Sequence, residues 1–151
     1  MIQRLLQPMM ILAVALFVGG CGAPATEAPA TKIAPINVTF NPDPGPKGDP
    51  DGSGSAIITL DREKGEICFE LSVSGITLPA RAAHIHEGSV GENGPIVVGL
   101  APPDAGGIAK GCRSVESEKL NAIMQTPSNY HILVHTDESG LTKGALRGQL
   151  P

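Results

Sequence analysis

The chain has 151 residues, enough for one globular domain with short appendages and too few for two cores. Its 11 Lys and Arg are interspersed among 15 Asp and Glu, giving a net charge of −4, so it lacks the basic patch a phosphate backbone requires and nucleic acid is excluded as a partner class. Trp is absent and Phe and Tyr number only three and one, so Val, Ile, Leu and Ala must fill the interior, a composition suited to β-strands.

Residues 1–20 read as an export signal. Arg4 supplies a positive charge, and "LLQPMMILAVALFV" follows as an apolar run too short to span a bilayer comfortably. The run closes in "VGGC", small residues directly before Cys21, which resembles the lipobox of bacterial lipoproteins. That resemblance implies that Cys21 becomes the lipidated first residue of the mature chain. The protein would then be exported and anchored to a membrane of the bacterial cell envelope, facing the periplasm or the surface. Residues 21–35 carry "GAPATEAPATKIAP", which has almost nothing to bury and reads as a flexible tether.

From Ile36 to residue 151, short alternating apolar runs are punctuated by Gly, Pro, Asn and Asp, the pattern of an all-β domain. "INVTF" puts Ile36, Val38 and Phe40 on one face. "DPDGSG" mimics the start of a calcium loop, with Asp49, Asp51 and Ser53 at alternate positions. Its twelfth position is Leu60 rather than Glu, and a strand follows in place of a helix, so it reads as a turn. "SAIITLD" aligns Ala56, Ile58 and Leu60. "REKG" is a hairpin turn, and "GEICFELSVSGI" alternates with Ile67, Phe69, Leu71 and Val73 inward. "AAHIH" and "PIVVGL" are further strands. "SVESEKLNAIMQTP" predicts one short helix capped by Ser117, with Leu120, Ile123 and Met124 on its apolar face and Pro127 ending it. "YHILVHT" and "GALRGQL" complete seven strands. The expected architecture is a Greek-key-like two-sheet β-sandwich with one short helix.

With Cys21 assigned to lipid, Cys68 and Cys112 remain, and in an exported chain they are expected to form one disulfide. Neither has a Cys or His neighbour at ligand spacing.

The four histidines, His84, His86, His131 and His135, all fall in two of the predicted strands. Side chains alternate along a strand, so His84 and His86 share a face about 7 Å apart and form a natural two-nitrogen clamp. His131 and His135 also share a face but lie about 13 Å apart along the chain, so one belongs with the clamp and the other beside it. A nitrogen-rich set without Cys or paired carboxylates suits copper, with zinc as the alternative, and the Irving–Williams order favours copper.

The motifs "GDPDGSGSAIITLD", "GEICFELSVSGI", "AHIHEGSVGENGPIVVGL", "PSNYHILVHT" and "GALRGQL" resemble, in order, those of the CHRD domain, named after chordin. The resemblance spans nearly all of residues 37–150 and implies a β-rich extracytoplasmic domain, with His84, His86, His135 and Arg147 on motif positions. His131 sits where the family pattern usually has an aromatic. A fainter resemblance is to the copper-zinc superoxide dismutase sandwich. It implies copper at His84, His86 and His135, with Arg147 as an anion-steering group. No histidine lies between Glu87 and Tyr130, so the bridging ligand and zinc loop of that enzyme are missing.

Three readings follow. The first is a membrane-tethered domain that binds copper or another late divalent metal through His84, His86 and His135, with His131 nearby, for metal handling or redox chemistry at the envelope. The second is a non-enzymatic module that binds an envelope protein partner through its loops. The third is a copper-only dismutase-like enzyme. No G-x-S-x-G or comparable nucleophile context supports hydrolytic chemistry.

Overall fold

The computed structural model describes Lys32, residues 34–45 and residues 47–151. The expected signal segment, the lipidation site Cys21 and most of the tether lie outside the described residues. No helix among the described residues is long and apolar enough to cross a membrane.

The domain is all-β with one short α-helix. Its strands are β1 (Ile36–Pro42), β2 (Ser53–Asp61), β3 (Glu66–Ser74), β4 (Ala82–Glu87), β5 (Ile96–Leu100), β6 (Ile108–Ser114), β7 (Tyr130–His135) and β8 (Leu146–Gln149). The helix α1 (Ser117–Gln125) precedes a single 3-10 turn, Pro127–Asn129. All pairings are antiparallel, in the order β5-β4-β7-β8-β1-β2-β3-β6. β1 joins the two halves. Its residues Ile36–Phe40 pair with β2, and Asn41 and Pro42 pair with β8. The two expected sheets are thus continuous through one shared strand, and the whole is barrel-like.

The alternation predicted for each run is the alternation found. Val38, Phe40, Ile58, Leu60, Ile67, Phe69 and Leu71 are buried from one half, and Ile85, Ile132, Val134 and Leu146 meet them from the other. Leu120 and Ile123 of α1 join this core with no exposure. Ser117 does not cap the helix: it is the first helical residue, and Glu116 takes the flanking position with no side-chain cap. The "REKG" turn joins β2 to β3, with Gly65 at φ 62°, a left-handed conformation that costs glycine little.

The strand missed in the sequence is β6. Its inward positions face Leu71, Phe69 and Ile67 with Ala109, Gly111 and Arg113, so no large apolar residue marks the alternation. A Cβ on Gly111 would sit 3.3 Å from the Phe69 ring, so the ring itself fills the space that a side chain would occupy. Cys68 and Cys112 are directly opposed across β3 and β6 and form the expected disulfide.

Candidate metal centre

β4 and β7 are neighbours, with His86 opposite His131 and Ala82 opposite His135. Ala83, Ile85, Ile132 and Val134 point into the core. Alternation therefore sends His84, His86, His131, Leu133 and His135 to the other face. On β8, Leu146 and Gly148 take the core side, which places Arg147 and Gln149 beside the histidines. A Cβ on Gly148 would lie 2.5 Å from Val38 Cγ1, which accounts for glycine between those two polar residues.

The outer face of an antiparallel sheet is ordinarily wet, yet this one is covered. His131 and His135 are 0% exposed, His86 6% and Arg147 7%, while His84 alone is part-exposed. Two loops provide the cover: residues 88–95 between β4 and β5, and residues 136–145 between β7 and β8. A register irregularity between Ile85 and His86 on the β5 side marks where β4 bends toward the first loop.

The loops also orient the rings. His86 Nδ1 lies 2.9 Å from the Gly94 carbonyl and His131 Nδ1 3.0 Å from that of Gly88. His135 Nδ1 sits 2.8 Å from the Lys143 carbonyl and 3.1 Å from that of Gly140. A carbonyl only accepts, so each Nδ1 carries the proton and each Nε2 is left with a lone pair. Those three Nε2 atoms, and Nδ1 of His84, are buried without a hydrogen-bond partner. An unsatisfied buried polar atom costs about 1–3 kcal/mol, so four together form a marked concentration of unmet bonding capacity.

The structure brings His84, His86 and His135 together: each offers one ring nitrogen, and these atoms lie within 4.8 Å of one another. Ring centroids are 5.7 Å apart for His84 and His86, 5.1 Å for His84 and His135 and 5.9 Å for His86 and His135. His131 stacks on the far side of His86 at 5.5 Å and is not in that group. This is the division expected from the 13 Å spacing. Nitrogens bound at ~2.0–2.1 Å to one ion lie at most ~4 Å apart, so small ring movements would seat a metal. Burial lowers the pKa of His84, with His135 and His86 adding to the effect. Burial likewise lowers that of His86, opposed by the Gly94 carbonyl and assisted by His135 and Arg147, and it brings His131 down to about 4. These three rings are therefore neutral at pH 7, the state that donates a lone pair.

Arg147, expected as an anion-steering group, is buried beside the histidines with its guanidinium hydrogen-bonded to the first loop. Its Nη1 donates to the Glu92 carbonyl (2.9 Å) and Asn93 Oδ1 (3.2 Å), and its Nη2 to the Ser89 carbonyl (2.9 Å) and Gln149 Oε1 (2.8 Å). The guanidinium is committed to the loop that orients His86 and His131. Gln149 reinforces it, donating to the carbonyls of Gly88, Ser128 and Tyr130. The second loop has its own clamp, which the sequence did not disclose. Asp43, 4% exposed, accepts from the Gly144 amide at 2.9 Å, and its own amide donates to the Ala145 carbonyl. The other group of potential ligands among the described residues, Glu66 with Cys68 and Cys112, has both sulfurs joined in the disulfide.

The family model of the CHRD domain matches residues 28–150, most of the chain, and the chain belongs to the CHRD family. Comparison with curated proteins and with solved structures gives no match.

Proposed function

We propose that this member of the CHRD family is an extracytoplasmic metal-binding domain that takes copper, or in its place zinc, through His84, His86 and His135, and that Cys21 tethers it to a membrane of the cell envelope. The observation that carries the reading is the convergence of three imidazoles, each offering a ring nitrogen within 4.8 Å of the others, in a group where His84 Nδ1, His86 Nε2 and His135 Nε2 are buried without a partner. Two of the three rings have their Nδ1–H fixed by loop carbonyls, the outer-shell arrangement that orients metal-bound imidazoles. The donors are all nitrogen, which suits copper and zinc over calcium or magnesium. The role is capture and handling of metal outside the cytoplasm.

The test is metal analysis of the purified protein after export to an oxidising compartment, followed by Cu(II) and Zn(II) titration. One equivalent of bound metal is expected, with nitrogen hyperfine structure in the Cu(II) spin-resonance spectrum. His84→Ala, His86→Ala and His135→Ala should each weaken binding at least tenfold, and His131→Ala should do so less. A wild-type protein that binds neither ion more tightly than the triple His84→Ala/His86→Ala/His135→Ala variant would overturn the reading.

A further inference from the structure

The three converging histidines are not held alike. His86 and His135 are buried, and their Nδ1 atoms are hydrogen-bonded to backbone carbonyls of the covering loops. His84 is part-exposed and presents the other nitrogen, Nδ1, as its buried unpartnered atom. Among the described residues no group hydrogen-bonds its Nε2, so its ring lacks the rear support that His86 and His135 have.

A second observation concerns the space beside it. On the edge strand β5, the residue directly opposite His84 is Gly99. Directly opposed residues project to the same face, with Cβ atoms about 4.5–5.5 Å apart. Gly99 is exposed, and a Cβ built on it would meet nothing within 4 Å. On its β7 side His84 faces Leu133, which is 1% exposed, so that flank is closed. The histidine group thus has open space at Gly99, a notch beside the one ring of the three that no backbone carbonyl holds.

We propose that the centre is built for metal transfer by ligand exchange, with His86 and His135 as fixed anchors and His84 as the ligand that lets go at the Gly99 notch. An incoming donor from another molecule, an imidazole, thioether or thiolate side chain, enters through the notch and takes the position of the His84 nitrogen. The ion keeps its oxidation state, the imidazole leaves with its lone pair, and no proton need move if the incoming donor is neutral. This assignment rests on the metal-binding reading above and adds the route and the partner chemistry to it.

Two substitutions separate route from affinity. The φ of Gly99 is not in the left-handed range and valine favours strands, so Gly99→Val fits the backbone while filling the notch. With the copper-loaded full chain mixed against a chromogenic chelator, Gly99→Val is expected to slow transfer about tenfold and leave the equilibrium affinity within twofold of wild type. In parallel, millimolar free imidazole should restore copper binding to His84→Ala, where the lost ring leaves a hole open to solvent. It should not restore His86→Ala or His135→Ala, whose rings are buried. Transfer from Gly99→Val at the wild-type rate, or equal rescue of all three alanine variants, would overturn the proposal while copper binding itself stood. A wild type that binds no copper would remove the metal-binding reading and this one with it.

Discussion

Replacing Arg147 by Met keeps most of the side-chain bulk and removes the guanidinium, so it tests whether this charge clamps a loop or steers anions. The group is 7% exposed and makes four hydrogen bonds, three of them to atoms of residues 89–93. Hydrogen bonds to charged groups contribute about 1.5–3 kcal/mol each, but the four share one loop and are not additive. The released loop can hydrate its own carbonyls, which returns part of the loss. A net destabilisation of about 3–4 kcal/mol is therefore expected, read as a lowered urea midpoint with an unchanged slope. The consequence for metal follows from the same geometry. Gly94, which orients His86, and Gly88, which orients His131, end the clamped segment, and loss of such outer-shell support typically costs 10- to 100-fold in affinity. Amide hydrogen exchange at residues 88–94 should accelerate selectively. Arg147→Lys should behave much as Arg147→Met does, because a single ammonium cannot span both sides of the loop. The reasoning is refuted if Arg147→Met is as stable as wild type and changes only the salt dependence of reaction with an anion, the signature of an exposed steering charge.

Removing the disulfide with Cys68→Ser/Cys112→Ser should cost about 4 kcal/mol on the chain-entropy model for a separation of 44 residues, measured by denaturant unfolding without reductant. Gly148→Ala, whose new methyl would meet Val38 Cγ1 at 2.5 Å and Phe40 Cδ1 at 3.0 Å, should destabilise by about 1–3 kcal/mol. The metal-free protein should lose stability as pH falls from about 6.5 to about 4. In that window the unfolded chain protonates His131 while burial holds the native ring at about 4, so the unfolded state binds more protons. His131→Phe should flatten the pH profile of the melting temperature there. Cys21→Ala should block acylation, read as the absence of labelled palmitate on the exported protein.

The fold was legible where burial is one-sided. β1, β2 and β3 alternate large apolar with polar residues because one face meets the core and the other meets water, and β4, β5, β7 and β8 could be placed from similar runs. β6 was not legible, since its inward positions are small or basic and only Ala109 is fully buried. The helix was legible from Leu120 and Ile123, but its start was not, because Glu116 holds the flanking position without a side-chain cap. Strand periodicity, which depends on Cβ direction alone, paired His84 with His86 and His131 with His135, and the family resemblance singled out His135 as the third member. That their face is buried was not legible. Cover comes from loops whose contacts run through backbone carbonyls, and a carbonyl has no letter in the sequence. The bonding of Arg147 to the first loop was not legible for the same reason: three of its four acceptors are backbone or amide oxygens of a glycine-rich loop.

Once those carbonyls are in place, the separate motifs resolve into one unit. H-x-H supplies two rings. The Asn-Gly-Pro turn supplies the carbonyl that orients one of them, at Gly94, and the side-chain oxygen that Arg147 holds, at Asn93. In V-H-T, His135 is a ring and Thr136 shapes the second loop: its amide donates to Ser139 Oγ at 2.9 Å, and the Ser139 amide donates to Thr136 Oγ1 at 3.2 Å. That reciprocal pair, 1% and 2% exposed, fixes the turn that brings the Gly140 carbonyl to His135. In R-G-Q-L, Arg147 and Gln149 hold the first loop, Gly148 lets Val38 and Phe40 pack beneath, and Leu150 closes the core. Three histidines on a bare sheet would be hydrated and free to turn, and ordering them around an ion would cost side-chain entropy at the moment of binding. Here the fold has already ordered two of them, so in the metal binding we propose the cost would fall on His84, the ring beside Gly99.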